Sequence, residues 1–386
     1  MANIIELHML RTFGVNSANR GEFGETKSCV VGGVKRARFS SQSIKAEVRN
    51  GFHDSYRTRH LADEKLFSRF KEEYPDVTEE QQKAVLEAFE TLCLTSSKEQ
   101  VVVYSEKEAD KIYEWVVEKY LNGEIDKAAE ELKKDSGKEH VFETIRSADI
   151  GLDVAIFGRM STAGAVYTVP SATGVNHAYS IDENESEEDY FAAFDNVINQ
   201  AGHLNGSSFS TNTMYSYFRI DPVQVYNNLM HPYENLLEGE KEKKKEEIKM
   251  RTADGVALAV EAMFNAVPGG KQNSMASHPM PAVIYATMDP NAINCTFDSC
   301  FNNVIRYHEG KSIAAQGTER LMKYAAETAD KHEYRCFFID NNLQEEISED
   351  VFKEVKEDGI SCDTIRNRSR LLDDIKVYVN DALKGL

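Results

Sequence analysis

The sequence has few of the features that mark membrane proteins or secreted disulfide-rich proteins. It contains no run of about 18 apolar residues, the length that a membrane-spanning helix needs. Its six cysteines are scattered without a Cys-x-x-Cys pair, which is typical of reduced thiols in a cytoplasmic protein. The start of the chain lacks the basic and apolar segments of a signal peptide. We therefore expect a cytoplasmic protein with no membrane partner.

Catalytic and cofactor-binding motifs are equally scarce. The ten histidines form no His-Glu-x-x-His motif, and no Gly-x-Ser-x-Gly or Gly-x-Gly-x-x-Gly sequence occurs. Gly269-Gly270-Lys271 is similar to part of a phosphate-binding loop, but Gln272 stands where that loop has serine or threonine. From these absences we expect no catalytic residues, no metal, no cofactor and no enzymatic activity.

Acidic residues outnumber basic ones, but the imbalance is uneven along the chain. The net charge is −19 at pH 7. Residues 1–60 nevertheless hold ten lysines and arginines against five acidic residues, which leaves −24 for the remainder. A basic face on an acidic body can bind a polyanion at one site and repel it elsewhere. The distribution favours a nucleic-acid partner, and chance clustering of charge is the alternative.

Hydrophobic periodicity predicts a mixed α+β chain without the regular alternation of a doubly wound sheet. Strands are predicted at 4–10, 152–157, 282–286 and 336–339, with an extended segment at 29–39. Helices are predicted at 42–50, 81–93, 236–250 and 256–266. Ser105 and Glu108 form a capping box that predicts a further helix start, and Asn205-Gly206 predicts a hairpin turn.

The basic segment from Lys35 to Arg49 carries the strongest functional pattern. Gln42, Lys45 and Arg49 are spaced i, i+3 and i+7, so they share one face of the predicted helix. Free amides at the start of that helix favour a bound phosphate. Such groups hold a phosphate backbone without reading its sequence, and an exposed helix with ordinary surface charges is the alternative. The candidate backbone-binding residues of this segment are Arg36, Ser40, Ser41, Gln42, Lys45 and Arg49, with Arg38 beside them.

Four blocks of sequence carry a family resemblance. They are GGVKRARFSSQSIK (32–45), LDVAIFGRM (152–160), NHAYSID (176–182) and VPGGKQ (267–272). Their order and spacing over about the first 290 residues resemble those of the crRNA-binding backbone subunits, CasC, of type I-E CRISPR Cascade complexes, in the Cas-seven family. The first and last blocks are the most specific.

The resemblance implies a fold shaped like a right hand. An RRM-like, or ferredoxin-like, palm would carry a helical insertion as fingers and a protruding β-hairpin as thumb. The expected palm comprises residues 1–59, 182–200 and 216–386, the fingers 60–181 and the thumb 201–215.

The resemblance also implies RNA-binding positions beyond the basic segment. Arg20 and Lys27 lie in the first loop, and Lys271 and Gln272 would complete the groove. Met160 and Val166 are expected to wedge between bases. Apolar residues in the polar thumb would press on RNA or on a neighbouring copy. The thumb candidates are His203, Leu204 and Phe209.

The expected partners are crRNA, target DNA paired to the guide, further copies of the chain and the other Cascade subunits. Those subunits are of the Cas-five and Cas-six types, with a large and a small subunit. Two alternatives stay open: an RNase like some type III relatives, which keep a catalytic Asp in the first loop, and a general single-strand binder. The first loop has Glu22 and Glu25 but no Asp before Asp54, which disfavours the RNase.

Overall fold

The computed structural model describes residues 3–93, 100–161, 164–197, 200–290, 294–308, 310–328 and 334–386. The chain divides into two units, which we term the sheet unit and the helical unit. The sheet unit comprises Met1–Gly51, Thr173–Asp221 and Ala257–Leu386. The helical unit comprises Phe52–Ala172 and Pro222–Val256. The expected palm, fingers and thumb boundaries stay a prediction, although segment 222–256 clusters with the helical unit.

Twelve strands lie in the described residues. In chain order they are β1 (Ile4–Asn16), β2 (Ser28–Val31), β3 (Val34–Phe39), β4 (Ser55–Thr58), β5 (Val102–Ser105), β6 (Thr173–Val175), β7 (Ala178–Ser180), β8 (Glu187–Asp195), β9 (Gln200–Ile220), β10 (Val283–Asp289), β11 (Tyr334–Ile339) and β12 (Ser361–Thr364). The sheet unit holds one mixed sheet, in the order β12-β11-β10-β1-β9-β7-β3-β2, and β6 and β8 also pair with β9. Only β11 and β12 are parallel among its described pairs.

Fourteen α-helices connect or cover these strands in the described residues. They are α1 (Ser41–Arg49), α2 (Ser68–Glu73), α3 (Glu79–Cys93), α4 (Glu106–Leu121), α5 (Ile125–Glu131), α6 (Asp135–Arg146), α7 (Gly151–Phe157), α8 (Pro222–Met230), α9 (Glu238–Asn265), α10 (Gln272–Met275), α11 (Ile313–Thr328), α12 (Asn341–Glu346), α13 (Glu349–Glu357) and α14 (Arg368–Ala382). A π-helix spans Leu61–Phe67, and short 3₁₀ turns occur at His231–Tyr233, Asp298–Phe301 and Ile365–Asn367. The predicted mixed α+β class is confirmed.

The central strands of the sheet unit are buried on both faces. On one face, Leu10, Tyr215 and Tyr285 pack with Leu321 of α11. Residues of the opposite register, such as Met214, line a small cavity with Ile44 of α1 and with the end of α9. Residues 4–10 of β1 are therefore mostly apolar, apart from the buried Glu6 and His8. The strands predicted at 4–10, 282–286 and 336–339 are confirmed.

The helical unit packs around residues from α3, α4 and α6. Phe89, Ile112 and Ile145 are all fully buried in it. The predicted capping box is confirmed, because Ser105 Oγ accepts the N–H of Glu108 while the Glu108 carboxylate accepts the N–H of Ser105. The Glu108 carboxylate also forms a bidentate ion pair with the buried guanidinium of Arg159, with N–O distances of 2.7 and 2.8 Å.

One predicted strand of the helical unit was wrong, and two predicted helices are continuous. Residues 152–157 form helix α7 rather than a strand, since a short run that is apolar all round fits either structure. The first turn of α7 is capped by Asp54, a residue distant in sequence, whose carboxylate accepts the N–H groups of Leu152 and Asp153. The helices predicted at 236–250 and 256–266 are one helix, α9. Gly255 lies inside α9, where the helix packs against Leu152. A Cβ at position 255 would lie 2.5 Å from Leu152 Cδ2.

The predicted hairpin turn was also wrong. Asn205 and Gly206 lie within β9, paired with Phe191 and Tyr190 of β8, and the strands are joined between Asp195 and Gln200. The Asn-Gly signal was misleading because the acidic sequence of β8 does not have the character of a strand. The hairpin therefore consists of residues 187–210, with β8 as its first strand.

Candidate nucleic-acid interface

Helix α1, which we term the clamp helix, forms as the sequence predicts. Ser40 is its N-cap, and the Ser40 hydroxyl accepts the N–H of Ser43 at 3.3 Å. Ile44 and Val48 are buried, so they fasten the helix to the sheet unit. The opposite face leaves Gln42 exposed and Lys45 half-buried. The predicted arrangement of faces is confirmed, and binding of RNA by this face stays a prediction.

Positive charge is concentrated around Lys45. Burial lowers the pKa of the Lys45 ammonium, and the neighbouring charges of Arg49 and Arg219 lower it further. A bound phosphate would relieve this repulsion, because an opposite charge favours the charged form of each group. Sequence reasoning missed Arg219, which lies on β9 about 170 residues from the clamp helix in sequence.

The side chain of Arg219 reaches the edge of the sheet across a glycine. Arg219 pairs with Gly174 of β6, and a Cβ on Gly174 would lie 2.8 Å from Arg219 Nε. Strand β6 contacts the clamp helix. Only glycine at position 174 leaves room for the Arg219 side chain to cross β6. The pairing of Arg219 with Gly174 cannot be recognised from the sequence without the strand register.

The amides at the start of the clamp helix are not free. The N–H of Ser40 donates to Asn19 Oδ1 at 3.0 Å, and the N–H of Ser41 donates to His177 Nδ1 at 3.2 Å. The expectation of open phosphate-binding amides at these two residues was therefore wrong. The physical reason is that neighbouring loops satisfy these donors before any ligand arrives.

Arg36 does not present its charge at the surface. Its side chain is fully buried, and its guanidinium donates to the carbonyl oxygens of Ser180 at 2.9 Å and Phe301 at 3.3 Å. Strand alternation correctly separates Arg36 from Lys35, which is exposed. It does not show which face of β3 other segments cover, so the prediction that Arg36 contacts RNA was wrong.

The first loop, residues 17–27, lies against the glycine-rich turn at residues 267–271. The N–H of Gly270 donates to Ala18 O at 3.0 Å, and a Cβ on Gly270 would lie 2.4 Å from Ser17 O. The buried guanidinium of Arg11 fixes the helix end that leads into the turn, donating to Ala266 O at 2.5 Å. Lys271 follows in a left-handed backbone conformation with φ +50°. Two distant parts of the sequence thus meet through backbone contact.

Lys271 and Arg20 line one open cleft of about 250 Å³. The ammonium of Lys271 lies 5.6 Å from the centre of the Phe191 ring, at a distance typical of a cation–π contact. The cleft is lined by Arg20, Phe23, Gly24, Glu25, Glu188, Gly206, Ser207, Ser208 and Lys271. The structure therefore brings two predicted cations of the first loop and the turn together beside the hairpin.

The other two candidates of these segments have structural contacts of their own. Gln272 Nε2 donates to Ser277 O at 3.0 Å, which closes the turn after α10. The N–H of Lys27 donates to Asn19 O, and the N–H of Arg38 donates to Lys27 O, each at 2.9 Å. The backbone of Lys27 thus joins the end of the first loop to β3.

The hairpin exposes its apolar residues on the strand that sequence reasoning overlooked. Tyr190, Phe191 and Phe194 of β8 are 65%, 48% and 67% exposed, and Val197 beyond them is 86% exposed. Phe209 is half-buried and pairs with Glu187. The side chains of His203 and Leu204 lie outside the described residues. The aromatic residues Tyr190, Phe191 and Phe194 were the available signal for β8.

Met160 and Val166 belong to the helical unit. Met160 is 79% exposed and follows Arg159, whose backbone pairs with Val169 through two hydrogen bonds of 2.8 Å. Val166 is 2% exposed and packs in the core of this unit, so the expectation that it wedges between bases was wrong. Met160 keeps the accessibility that such a role requires.

The described residues contain no group of three or more His, Cys, Asp or Glu side chains arranged to hold a metal ion. In the same part of the chain, no helix is both long and apolar enough to cross a membrane. The candidate interface is lined by lysines, arginines and aromatic rings, with Glu25 and Glu188 also in the cleft.

Two solved structures are similar to this chain. A chain of a complex described as "CRISPR RNA-guided surveillance complex, pre-nicking" has a TM-score of 0.69 at 20% identity, covering 88% of this chain and 93% of that chain. A chain of a "CRISPR RNA-guided surveillance complex" has a TM-score of 0.49 at 18% identity, covering 88% and 90%. No curated protein matches this sequence. The first likeness shows a shared mixed α+β fold.

A family model gives the clearer assignment. The model described as "CT1975-like protein" matches residues 5–361, which is most of the chain. Together with the shared fold, it supports the coarser part of the resemblance, a protein of the Cas-seven family. The chain therefore belongs to the CT1975-like family.

Proposed function

We propose that the chain is the crRNA-binding backbone subunit of a type I-E Cascade complex, and that it has no catalytic activity. The observation that carries the proposal is that Lys45 and Arg49 of the capped clamp helix lie near enough to Arg219 of β9 for their charges to interact. Three cations in this arrangement bind the repeating charge of a phosphate backbone and leave the bases free. Specificity for target DNA then comes from pairing with the guide.

The assembly follows from the same resemblance. The antiparallel part of the sheet serves as an RRM-like palm, the helical unit supplies the fingers, and hairpin 187–210 serves as the thumb. Copies of the chain line up along the crRNA, and each thumb covers a neighbour's RNA segment. Further partners are the Cas-five-type, Cas-six-type, large and small subunits, in the cytoplasm. The exposed rings of Tyr190, Phe191 and Phe194 support a thumb that needs a partner surface.

The first test is the identity of the bound RNA. The full chain, expressed with the other subunits and a guide, should co-purify with RNA of uniform length. RNA of mixed length and sequence would indicate a general single-strand binder. Cleavage of guide-paired RNA after addition of Mg²⁺ would indicate the RNase alternative. The exposed Glu22 and Glu25 are the candidate metal ligands of the first loop for that activity.

The second test is the salt dependence of RNA binding. Lys45→Ala and Arg49→Ala should each weaken binding and reduce the slope of log K against log[salt] by about 0.7, the value for one phosphate contact on a single strand. Arg366→Ala is the matched control, because Arg366 is exposed and follows β12, at the far end of the sheet from β3. An unchanged slope in the two clamp variants would remove the clamp helix from the interface.

A further inference from the structure

The turn between β6 and β7 is fixed to the central sheet. The N–H of Asn176 donates to Tyr217 O at 3.1 Å, and Asn176 Oδ1 accepts the N–H of Tyr217 at 2.8 Å. Tyr217 belongs to β9, whose neighbours on both sides are long or buried strands. The next residue, His177, is exposed but is held on a rigid base.

The Nδ1 atom of His177 faces two donors. The N–H of Ser41 lies 3.2 Å away, and Nη1 of Arg38 lies 3.3 Å away. Neither group can accept a hydrogen bond, so Nδ1 must be the acceptor. With Nδ1 accepting, the ring proton lies on Nε2.

These two contacts meet where β3 passes into the clamp helix. Arg38 is near the end of β3, and Ser41 opens the helix after its cap. An amide of the first helical turn has no partner within its own helix, so the imidazole supplies one. The same nitrogen draws the guanidinium of Arg38 toward the helix start.

We propose that His177 is a positioning residue of the clamp helix, which orients Arg38 and the first helical turn for the RNA backbone. The proposal rests on the proposed function, since it concerns the same interface. The positioning role depends on one ring atom of His177. It requires a hydrogen-bond acceptor at Nδ1 and does not require the Nε2–H donor. A direct contact of Nε2–H with RNA would require the reverse.

Three substitutions separate these two roles. Asparagine places an oxygen close to the position of Nδ1, so His177→Asn should keep RNA affinity within about twofold of the parent chain. His177→Gln places its polar group near Nε2 instead, and His177→Ala has neither group. Both should weaken binding by about three- to tenfold, the equivalent of one hydrogen bond.

The measurements use the full chain and a fluorescein-labelled single-stranded oligouridylate, with Lys45→Ala as the reference. Thermal unfolding midpoints of all variants show whether a loss of affinity follows from a loss of folding. Selective ¹⁵N labelling of histidine adds an independent readout, because the His177 signal, identified by its absence in His177→Asn, should show an unprotonated Nδ1.

Each other result refutes a stated part of the reasoning. Rescue by glutamine and not by asparagine would make His177 a direct RNA contact, and a protonated Nδ1 would exclude the positioning role. If all three variants bind RNA normally while Lys45→Ala binds weakly, the role of His177 is wrong and the proposed function stands. If Lys45→Ala also binds normally, the proposed function itself fails.

Discussion

Replacing Gly270 by alanine would test whether the turn that carries Lys271 must touch the first loop. A Cβ on Gly270 would lie 2.4 Å from Ser17 O and 2.6 Å from Ala18 O. Both atoms belong to the backbone, so no side-chain rotation can relieve the overlap. Either the turn or the first loop must move, and the hydrogen bond from Gly270 N–H to Ala18 O is strained or lost.

The expected magnitude follows from three terms. Overpacking of this kind costs about 1–3 kcal/mol. Loss of the hydrogen bond costs about 1 kcal/mol, and the smaller conformational freedom of alanine in the unfolded chain returns about 0.4–1 kcal/mol. We expect Gly270→Ala to lower the free energy of unfolding by about 1–3.6 kcal/mol. If the turn moves and Lys271 leaves the cleft, the salt slope of RNA binding should also fall by about 0.7.

The adjacent glycine is the matched control. A Cβ on Gly269 would meet only the Glu47 carboxylate, 3.1 Å away, at the end of a flexible side chain. Neither glycine has a left-handed backbone, so alanine is sterically allowed at both positions apart from these contacts. Gly269→Ala should change the free energy of unfolding by less than about 0.5 kcal/mol. Urea unfolding and RNA binding, measured on both variants, would refute the reasoning if the two behaved alike.

Three further outcomes are expected. Burial raises the pKa of the Asp182 carboxyl from 3.8 to about 6. Proton binding by this carboxyl therefore stabilises the folded chain fully below pH 4, and this stabilisation is lost as the pH rises through 6. At pH 8, Asp182→Asn removes the buried charge and should raise the free energy of unfolding by about 1–3 kcal/mol. An equal effect at pH 4 in urea unfolding would contradict this. Arg219→Gln should lower the salt slope of RNA binding by about 0.7, and Arg366→Gln should leave it unchanged. Phe194→Ser should weaken assembly of the chain on RNA, seen by analytical ultracentrifugation, without altering that slope; a changed slope would place the ring beside phosphate.

Elements specified by neighbouring residues were predictable from the sequence. Ser105 and Glu108 cap α4 through contacts three residues apart, and the clamp helix forms for the same reason, with Ile44 and Val48 giving it one buried face. Such signals depend on helix geometry alone. The cationic face of the clamp helix could therefore be derived without a structure.

Features that depend on distant segments were not predictable. Arg36 differs from Arg38 in exposure because residues near Phe301 cover it, more than 260 residues away in sequence. Helix α7 is decided by the Asp54 carboxylate, which no local pattern connects to Leu152. The register of β9 likewise decides where hairpin 187–210 turns, and it places Gly174 opposite Arg219.

The charges beside the cleft define the path that an RNA backbone can take. Arg20 and Lys271 attract phosphate, whereas the exposed Glu25 and Glu188 in the same cleft, and Glu187 and Asp189 beside it, repel it. On a chain of net charge −19, a polyanion stays only where cations outweigh acids locally. Beyond Asp189 the hairpin changes from carboxylates to aromatic rings, which stack on bases or protein rather than bind phosphate. The hairpin should therefore contribute to binding through a salt-insensitive term, and the clamp helix through a salt-sensitive one.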